Sequence, residues 1–270
     1  DLVVALGGGV VGDLAGFAAS ILLRGVAYIQ VPTTLLAQVD SAVGGKTAIN
    51  HSRGKNLIGS FWQPSAVVSS QKVLETLPER ERRCGLAEAI KHGLISDPEL
   101  ARWCAAESDA LRRLDHDAIR HLVQRCCDIK AQIVREDERE SGRRVLLNLG
   151  HTFGHAYEVL LGYGHLTHGE AVALGMVWSA RLSERLGVAR SGLEAEVRGL
   201  LRALGLPDDP SAEGLPTCAQ LLAAARNDKK ADQTHVMFIL LQEVGRTQTQ
   251  RISWVEIESA LQGRSLGSKT

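Results

Sequence analysis

The first residues of the chain order a strand, a glycine turn and a helix. Leu2 to Leu6 is a short apolar run, Gly7 to Gly9 follow it, and Val10 to Leu23 has the apolar spacing of a helix. Glycines at such a turn let backbone N–H groups approach a phosphate at the positive end of the helix. This order predicts a nucleotide-binding α/β unit, although glycine turns of this kind also occur as simple tight turns.

The chain changes character at Pro78. Before it, Ala27 to Val31 and Ala66 to Ser69 predict two more buried strands, and the polar segment from Asp40 to Asn56 predicts a functional loop. After it, helical patterns dominate. They cover 79–96, 98–112, 115–135, 144–162, 168–187 and 190–204.

A hairpin and a final helix are predicted near the end of the chain. His235 to Leu241 and Thr247 to Trp254 have the pattern of paired strands, and a helix is expected from about Val255. We therefore predict an α/β plus α fold. A partial NAD-binding α/β domain would cover 1–78, and a mostly helical metal- and substrate-binding domain with a small hairpin would cover 79–270.

Charge and cysteine content exclude several classes of protein. The 31 basic and 31 acidic residues balance, so no global field favours nucleic acid or an anionic membrane surface. Five cysteines without Cys-x-x-Cys spacing favour a reducing, cytoplasmic setting. No apolar run approaches the roughly 20 residues of a membrane span. Because the chain starts at Asp1 within an apolar strand, we expect it to be a piece of a longer protein.

Four of the nine histidines fall between His151 and His168. His151 and His155 are four residues apart, so they share one face of a helix, and glycines adjoin both of them and His168. Two histidines and a carboxylate are a familiar set for a catalytic metal, and Glu88 can supply the carboxylate. This pattern predicts a metal site, with His165 as a solvated loop residue.

Two further groups of charged residues leave alternatives open. Glu88 and Lys91 are three apart on a predicted helix and could equally form an ordinary surface ion pair. Six basic residues could be solvated surface or could line a pocket for a substrate with phosphate and carboxylate groups. They are Lys46, Lys55, Lys130, Arg144, Lys229 and Lys230.

Six segments together resemble the 3-dehydroquinate synthase family, and they occur in the family's order from the first residues to about Leu241. They are LGGGVVGDLAGF from Leu6, VPTTLLAQVDSAVGGKTAIN from Val31, GKNLIGSFWQP from Gly54, GLAEAIK from Gly85, NLGHTFGH from Asn148 and HGEAV from His168.

The resemblance implies a nucleotide-binding α/β domain and a helical metal domain with the active site between them. It also implies a lyase of the shikimate pathway of aromatic amino acid biosynthesis. The family oxidises the C5 hydroxyl of 3-deoxy-D-arabino-heptulosonate 7-phosphate with bound NAD⁺ and eliminates phosphate. It then reduces the ketone again and closes the opened ring by aldol addition. NAD is returned unchanged, and the substrate's own phosphate can serve as the base for elimination.

Residue roles follow from the same resemblance. Zinc or cobalt would be bound by Glu88, His151 and His168. The substrate pocket would be lined by Lys91, Lys130, Asp40, Glu140, Arg144, Asn148 and His155, with Lys46 in the same polar loop. Arg24 would reach the site of a neighbouring subunit, which implies a homodimer. Phosphate would be held by Lys229 or Lys230.

The implied NAD contacts come mainly from the first 81 residues. They are Gly8, Gly9, Gly12, Asp13, Thr33, Thr34, Asp40, Lys46, Lys55, Asn56, Thr76 and Glu81. A negative Asp13 beside a phosphate is unfavourable unless it accepts from a ribose hydroxyl or from the backbone rather than facing the phosphate.

The chain departs from the family pattern in two places. A preceding strand-and-helix region, with an acidic residue for an NAD ribose and a Gly-Glu-x-x-Lys segment, is missing, and we expect weak NAD binding without it. Near the end, Thr234 replaces a usual glycine and Met237 a frequent basic residue.

Three alternative functions remain open. A sibling sugar-phosphate cyclase, such as a 2-deoxy-scyllo-inosose or valiolone-type synthase, would share the NAD and metal chemistry, but Lys130, Arg144 and Asn148 favour a substrate that carries a carboxylate. An iron- or zinc-dependent alcohol dehydrogenase would accumulate NADH. A truncated, inactive chain would only bind metal or dimerise.

Overall fold

A computed structural model describes residues 1–51, 54–162, 164–227 and 234–262, and it leaves the side chains of residues 54 and 55 undescribed. The chain forms two compact units. The first comprises Asp1–Ala89 and Asp109–Arg144, and the second comprises Ile90–Ser108 and Val145–Thr270. The predicted domain division at residue 78 stays a prediction. Packing keeps the segment 109–144 with the first unit.

A small parallel sheet forms the start of the first unit. Its strands are β1 (Leu2–Gly7), β2 (Ala27–Pro32) and β5 (Ala66–Val67), in the order β1-β2-β5. Helix α1 (Gly9–Ile21) connects β1 to β2, which run in parallel with Leu2 opposite Ala27. The predicted strand, glycine turn and helix are therefore confirmed.

The polar segment predicted as a loop forms a β-hairpin instead. Its strands β3 (Lys46–His51) and β4 (Gly54–Phe61) pair antiparallel after a π-helical turn at Ala37–Ser41. The loop prediction was wrong because an antiparallel strand tolerates polar side chains that are exposed or hydrogen-bonded. Thr47 is buried, and its hydroxyl donates to the Ser60 carbonyl at 2.9 Å.

Helices complete the first unit. They are α4 (Ser108–Arg112), α5 (His116–Glu136) and the first part of α2 (Glu79–Ser96). Asp115 caps α5 by accepting from the backbone N–H groups of Asp117 and Ala118. Apolar residues on one face of α5 are buried, and α5 packs against the π-helical turn.

The second unit is mainly helical. It contains the rest of α2, α3 (Pro98–Ala106), α6 (His151–Leu161), α7 (His168–Arg185), α8 (Leu193–Ala203), α9 (Cys218–Arg226), the antiparallel strands β6 (His235–Glu243) and β7 (Arg246–Ser253), and α10 (Trp254–Leu261). Its core joins Phe153, Trp178, Phe238 and Trp254, which come from three helices and the hairpin. Helix α7 is buried on nearly all sides.

Three helical predictions needed correction. The pattern at 98–112 divides into α3 and α4, and α9 was not predicted. The pattern at 144–162 starts with a 3-10 turn at Arg143–Asn148, and α6 begins only after Gly150. Gly150 has a φ of 81°, which lies in the left-handed region and interrupts a continuous helix. Within the described parts of the chain, no helix has the length and apolar character needed to cross a membrane.

Candidate active site

The histidine cluster of the second unit is built on the starts of α6 and α7. His151 is the first residue of α6, and His155 follows one turn later. His168 is the first residue of α7, where Thr167 and Glu170 form a reciprocal capping box. The ring of His151 lies 5.4 Å from that of His155 and 5.2 Å from that of His168, measured between centroids. The structure therefore brings together the three histidines that the sequence singled out.

Small residues let α6 and α7 approach closely enough for this arrangement. A Cβ atom on Gly175 would lie only 1.9 Å from the carbonyl oxygen of Gly150. A Cβ on Gly154 would meet the backbone of Ala171 and Val172 at 3.3 Å. Sequence reasoning noted Gly150 and Gly154 but missed Gly175, because its partner lies 25 residues earlier in the chain. The separation of the two helices, and hence of His151 and His168, depends on these glycines.

In two of the rings, Nδ1 lies beside an oxygen acceptor. The Nδ1 atom of His151 lies 3.2 Å from the Leu149 carbonyl oxygen, which can only accept, so Nδ1 carries the proton in this hydrogen bond. The Nδ1 atom of His168 lies 3.5 Å from a carboxylate oxygen of Glu158. Histidines that bind a metal through Nε2 usually have such an acceptor at Nδ1.

Three residues of the second unit bring potential metal-ligand atoms close together. One ligand atom each from His155, Glu158 and His168 lies within 4.8 Å of the others. Glu158 is buried and was not predicted, although its position seven residues after His151 places it on the same face of α6. These donors, two imidazoles and a carboxylate, suit a divalent transition metal.

The two charged residues of α2 are both deeply buried. Glu88 is 0% exposed and Lys91 is 1% exposed. The alternative that they form a solvated surface ion pair is therefore wrong. Glu88 belongs to the first unit, and Lys91 belongs to the second.

A buried ion pair joins α5 to the π-helical turn in the first unit. Lys130 lies 2.8 Å from a carboxylate oxygen of Asp40 and donates to the Asp40 backbone carbonyl at 2.6 Å. Both charges act on Asp13 electrostatically. Burial raises the pKa of Asp13 to about 6, with Lys130 opposing this shift and Asp40 adding to it. Residues predicted for substrate and for NAD thus share one electrostatic environment.

Arg144 anchors the turn before β3. Its guanidinium donates to the Gly44 carbonyl at 2.7 Å and to the Glu138 carbonyl, and it lies 5.7 Å from the centre of the Phe61 ring. The side chain is 1% exposed, and its buried Nε finds no acceptor among the described residues. A buried guanidinium with a spare N–H is suited to an anion.

The segment that precedes Arg144 is held by its own carboxylates. Burial alone would raise the pKa of Asp137, but the N–H groups of Ser141, Arg144 and Gly142 donate to its carboxylate and lower the pKa to about 2. Lys46 at the start of β3 contacts the Glu140 carboxylate. Two predicted substrate residues, Lys46 and Glu140, are therefore neighbours.

The glycine turn offers backbone donors at the start of α1. Gly8 is the N-cap residue, and among the described residues no side chain caps this helix. Thr33 donates its N–H to the Gly7 carbonyl, and a Cβ on Gly8 would lie 3.0 Å from the Thr34 methyl group. Thr33 and Thr34 thus flank the turn at the carboxyl ends of β1 and β2, where α/β sheets bind ligands.

A shallow cavity of about 350 Å³ lies beside this turn. Its lining comes from α1 and the β3–β4 hairpin, and comprises Val10, Asp13, Leu14, Ala48, Ile49, Asn50 and Asn56. Two predicted NAD contacts, Asp13 and Asn56, therefore line one cavity. The uncapped helix end and the cavity fit a dinucleotide that presents its pyrophosphate to the turn.

Several predicted site residues lie outside the histidine cluster, the charged contacts and the cavity described above. Arg24, Thr76 and Glu81 are exposed, and Arg24 has a φ of 67°. Asn148 ends the 3-10 turn before α6, and His165 is exposed, as predicted for a solvated residue. The side chain of Lys55 and both Lys229 and Lys230 lie outside the described residues.

Comparison with known sequences identifies similar proteins over most of the chain. The family model "3-dehydroquinate synthase N-terminal" matches residues 1–84, and "3-dehydroquinate synthase C-terminal" matches residues 85–231. The 3-dehydroquinate synthase of Halorhodospira halophila is 56% identical over 244 residues, which are 90% of this chain and 68% of that protein. The Acidithiobacillus ferrooxidans enzyme is 54% identical over 241 residues, 89% of this chain and 65% of its own length. The chain thus spans about two thirds of these relatives.

Similar solved structures include two sugar-phosphate cyclases. A 2-deoxy-scyllo-inosose synthase, complexed with carbaglucose-6-phosphate, NAD⁺ and Co²⁺, has a TM-score of 0.85 and 28% identity, covering 95% of this chain and 72% of that one. The 2-epi-5-epi-valiolone synthase from Streptomyces hygroscopicus, with NAD⁺ and Zn²⁺ bound, has the same TM-score and identity, covering 96% and 72%. Their architecture confirms the predicted combination of an α/β region with a helical region.

Proposed function

Because the chain belongs to the 3-dehydroquinate synthase family, we propose that it converts 3-deoxy-D-arabino-heptulosonate 7-phosphate to 3-dehydroquinate and phosphate. The observation that carries this proposal is the difference in identity between the two kinds of relative. The chain is 56% identical to a 3-dehydroquinate synthase and 28% identical to the two sibling cyclases. The reaction belongs to the shikimate pathway and is a carbon–oxygen lyase reaction.

A divalent metal, zinc or cobalt, is proposed to bind Glu88, His151 and His168. Support comes from the donor chemistry and from the two rings, whose Nδ1 atoms lie beside oxygen acceptors, as is usual in histidines that bind a metal through Nε2. Such an ion, when bound, lowers the pKa of coordinated substrate hydroxyls. Glu88 supplies a carboxylate, which together with two imidazoles suits a divalent transition metal.

Recognition of the substrate is proposed to rest on the basic residues of the first unit together with Lys91. Arg144 supports this proposal most directly, because its buried Nε has a proton to donate and its guanidinium is fixed by two carbonyl groups. A planar guanidinium suits a carboxylate, which distinguishes this substrate from those of the sibling cyclases. The full proposed set is Asp40, Lys46, Lys91, Lys130, Glu140, Arg144, Asn148 and His155, with phosphate held by Lys229 or Lys230.

His155 is proposed to relay a proton during the reaction. It is an exposed imidazole at the edge of the histidine cluster, and imidazole exchanges protons near neutral pH. For elimination, we retain the hypothesis that the substrate's own phosphate removes the proton. A large loss of the elimination rate on replacing one carboxylate of the pocket would contradict this hypothesis.

NAD is proposed as the second cofactor, which accepts a hydride from the substrate and later returns it. The uncapped start of α1 supports binding of its pyrophosphate, and the cavity beside Asp13 supports binding of the remaining nucleotide. With its raised pKa, Asp13 is partly neutral near pH 6, which reduces repulsion toward a phosphate. The proposed contacts are Gly8, Gly9, Gly12, Asp13, Thr33, Thr34, Asp40, Lys46, Lys55, Asn56, Thr76 and Glu81.

A homodimer is proposed from Arg24, the position that would reach the site of a neighbouring subunit. Its exposure and its position at the end of a 3-10 turn leave its side chain accessible to a second copy. Sedimentation of the purified chain tests this proposal directly. A monomer at high protein concentration would contradict it.

A comparison of two substrates is the sharpest test of the proposed activity. Purified chain with NAD⁺ and Zn²⁺ or Co²⁺ is assayed for phosphate release from the heptulosonate phosphate and, separately, from sedoheptulose 7-phosphate. We expect release from the first substrate without accumulation of NADH. Preferential release from the second would identify a sibling cyclase, and NADH formed in step with product would identify a dehydrogenase.

A further inference from the structure

Glu158 is a buried carboxylate within the histidine cluster of the second unit. It lies on α6 with 8% of its surface exposed, where an ionised group is costly unless other polar groups compensate it. Residues 151, 155 and 158 recur with helical periodicity, so His151, His155 and Glu158 lie on one face of α6. The sequence of α6 therefore directs this carboxylate toward the same side as the histidines.

The carboxylate lies beside Nδ1 of the His168 ring. One oxygen of Glu158 lies 3.5 Å from His168 Nδ1, within the range of a charge contact. His151 shows the same pattern with a different acceptor, because its Nδ1 lies 3.2 Å from the Leu149 carbonyl. In both rings an oxygen acceptor beside Nδ1 favours the tautomer that carries its proton on that nitrogen.

We propose that Glu158 is a positioning residue that holds the His168 ring and tautomer for metal binding through Nε2. This inference rests on the metal site proposed above and assigns a residue that supports it. A carboxylate that accepts from Nδ1 keeps the lone pair on Nε2 and makes that nitrogen a stronger donor. The capping box at Thr167 fixes the backbone of His168, and Glu158 fixes its side chain.

The same geometry allows a different role, in which Glu158 binds the ion itself together with His155 and His168. That role would recruit Nδ1 of His168 and would make His155 a ligand. The positioning role is favoured by the parallel with His151, whose Nδ1 is already engaged by a backbone carbonyl. The two roles differ in one measurable respect, the contribution of His155 to metal affinity.

Zinc affinity of the whole chain, measured by competition with a chromogenic chelator, tests the proposal. Glu158→Leu removes the acceptor at similar size, and we expect a loss of about 10- to 100-fold, the usual effect of removing such a partner. Glu158→Gln keeps an acceptor but loses the charge, so we expect a smaller loss. Glu258→Gln is the matched control, because Glu258 pairs with Arg226 in the same unit at 3.0 Å. We expect this control to bind zinc normally.

Two further measurements separate the possible results. The visible spectrum of the cobalt-loaded Glu158→Gln protein should change, whereas a purely structural role would alter only the unfolding midpoint of the metal-free protein. Wild-type zinc affinity in Glu158→Leu would overturn the proposal. A loss in His155→Ala as large as that in Glu158→Leu would also overturn it, because Glu158 would then be a ligand. Undiminished affinity in His151→Ala would instead refute the metal site itself.

Discussion

The contact between α6 and α7 should make one glycine-to-alanine substitution destabilising, whereas the same substitution in another helix of the unit should be stabilising. Gly175→Ala places a Cβ 1.9 Å from the Gly150 carbonyl oxygen, whereas ordinary contact begins at 3.4 Å. The neighbour is backbone, and this same carbonyl accepts from the Gly154 N–H at the start of α6. Relief therefore requires one helix to move, and α7 is buried on nearly all sides.

The magnitude follows from two opposing terms. Replacing glycine by alanine inside a helix stabilises it by about 1 kcal/mol, and overpacking of a tight interior costs about 1–3 kcal/mol. Because the clash at Gly175 is with backbone, we expect the upper end of that cost and a net loss of about 2 kcal/mol. For a unit of this size, such a loss lowers the melting temperature by about 4–8 °C.

Gly199→Ala is the matched control. Gly199 lies inside α8 of the same unit, and a Cβ there would meet nothing within 4 Å. Only the gain in helix propensity remains, so we expect stabilisation by about 0.5–1 kcal/mol. Thermal unfolding of both variants and the parent chain, without metal, measures the difference.

Zinc affinity of the same two variants connects this packing to the site. Displacement of α7 would move His168 relative to His151, so Gly175→Ala should also bind zinc more weakly than Gly199→Ala. Equal melting temperatures for the two variants would show that the Gly175–Gly150 contact does not limit the packing of α6 against α7. So would a stabilised Gly175→Ala protein.

Substitutions at three other positions test separate parts of the structure. The folded state raises the pKa of Asp13 from 3.8 to about 6, so Asp13 makes a contribution to stability that is lost as pH rises through this range. Asp13→Asn should remove this contribution, so the stability of the variant should fall less, or rise more, than that of the parent between these two pH values. Denaturation midpoints at the two ends of the range measure the difference, and an unchanged profile would contradict it. Arg144→Lys should raise the KM for substrate by about 10-fold or more in steady-state assays, since an ammonium cannot reproduce the planar fork; an unchanged KM would remove Arg144 from the pocket. Thr167→Ala should cost about 1 kcal/mol in urea unfolding through loss of the cap on α7, whereas Thr167→Ser should retain most of it.

Local patterns predicted most of the fold. The strand, glycine turn and helix at the start, the hairpin at the end and the long helices all follow from periodicity and turn residues, as found for β1, α1 and α7. The β3–β4 hairpin was not recognised because its residues are mostly polar and exposed, a composition that is also typical of a loop; the buried Thr47 is satisfied by a hydrogen bond across the hairpin. The break before α6 depends on the positive φ of Gly150, which a helical pattern does not reveal.

The site was predictable where residue type alone implies chemistry. Three clustered histidines indicate a metal, and the structure places their rings side by side. Glu158 and Gly175 were missed because each acts through a contact between α6 and α7. A sequence pattern within one helix does not reveal such contacts. Burial of Arg144 likewise follows from tertiary packing, since most arginines are exposed.

We propose that this chain is a metal- and NAD-dependent synthase whose metal is held by His151 and His168. The decisive experiment measures bound zinc and phosphate release from 3-deoxy-D-arabino-heptulosonate 7-phosphate in parallel, for the parent chain and for His151→Ala, while NADH absorbance is followed. We expect the parent chain to bind zinc and release phosphate without net NADH, and His151→Ala to lose both properties. Retention of zinc and of the full rate by His151→Ala would contradict it.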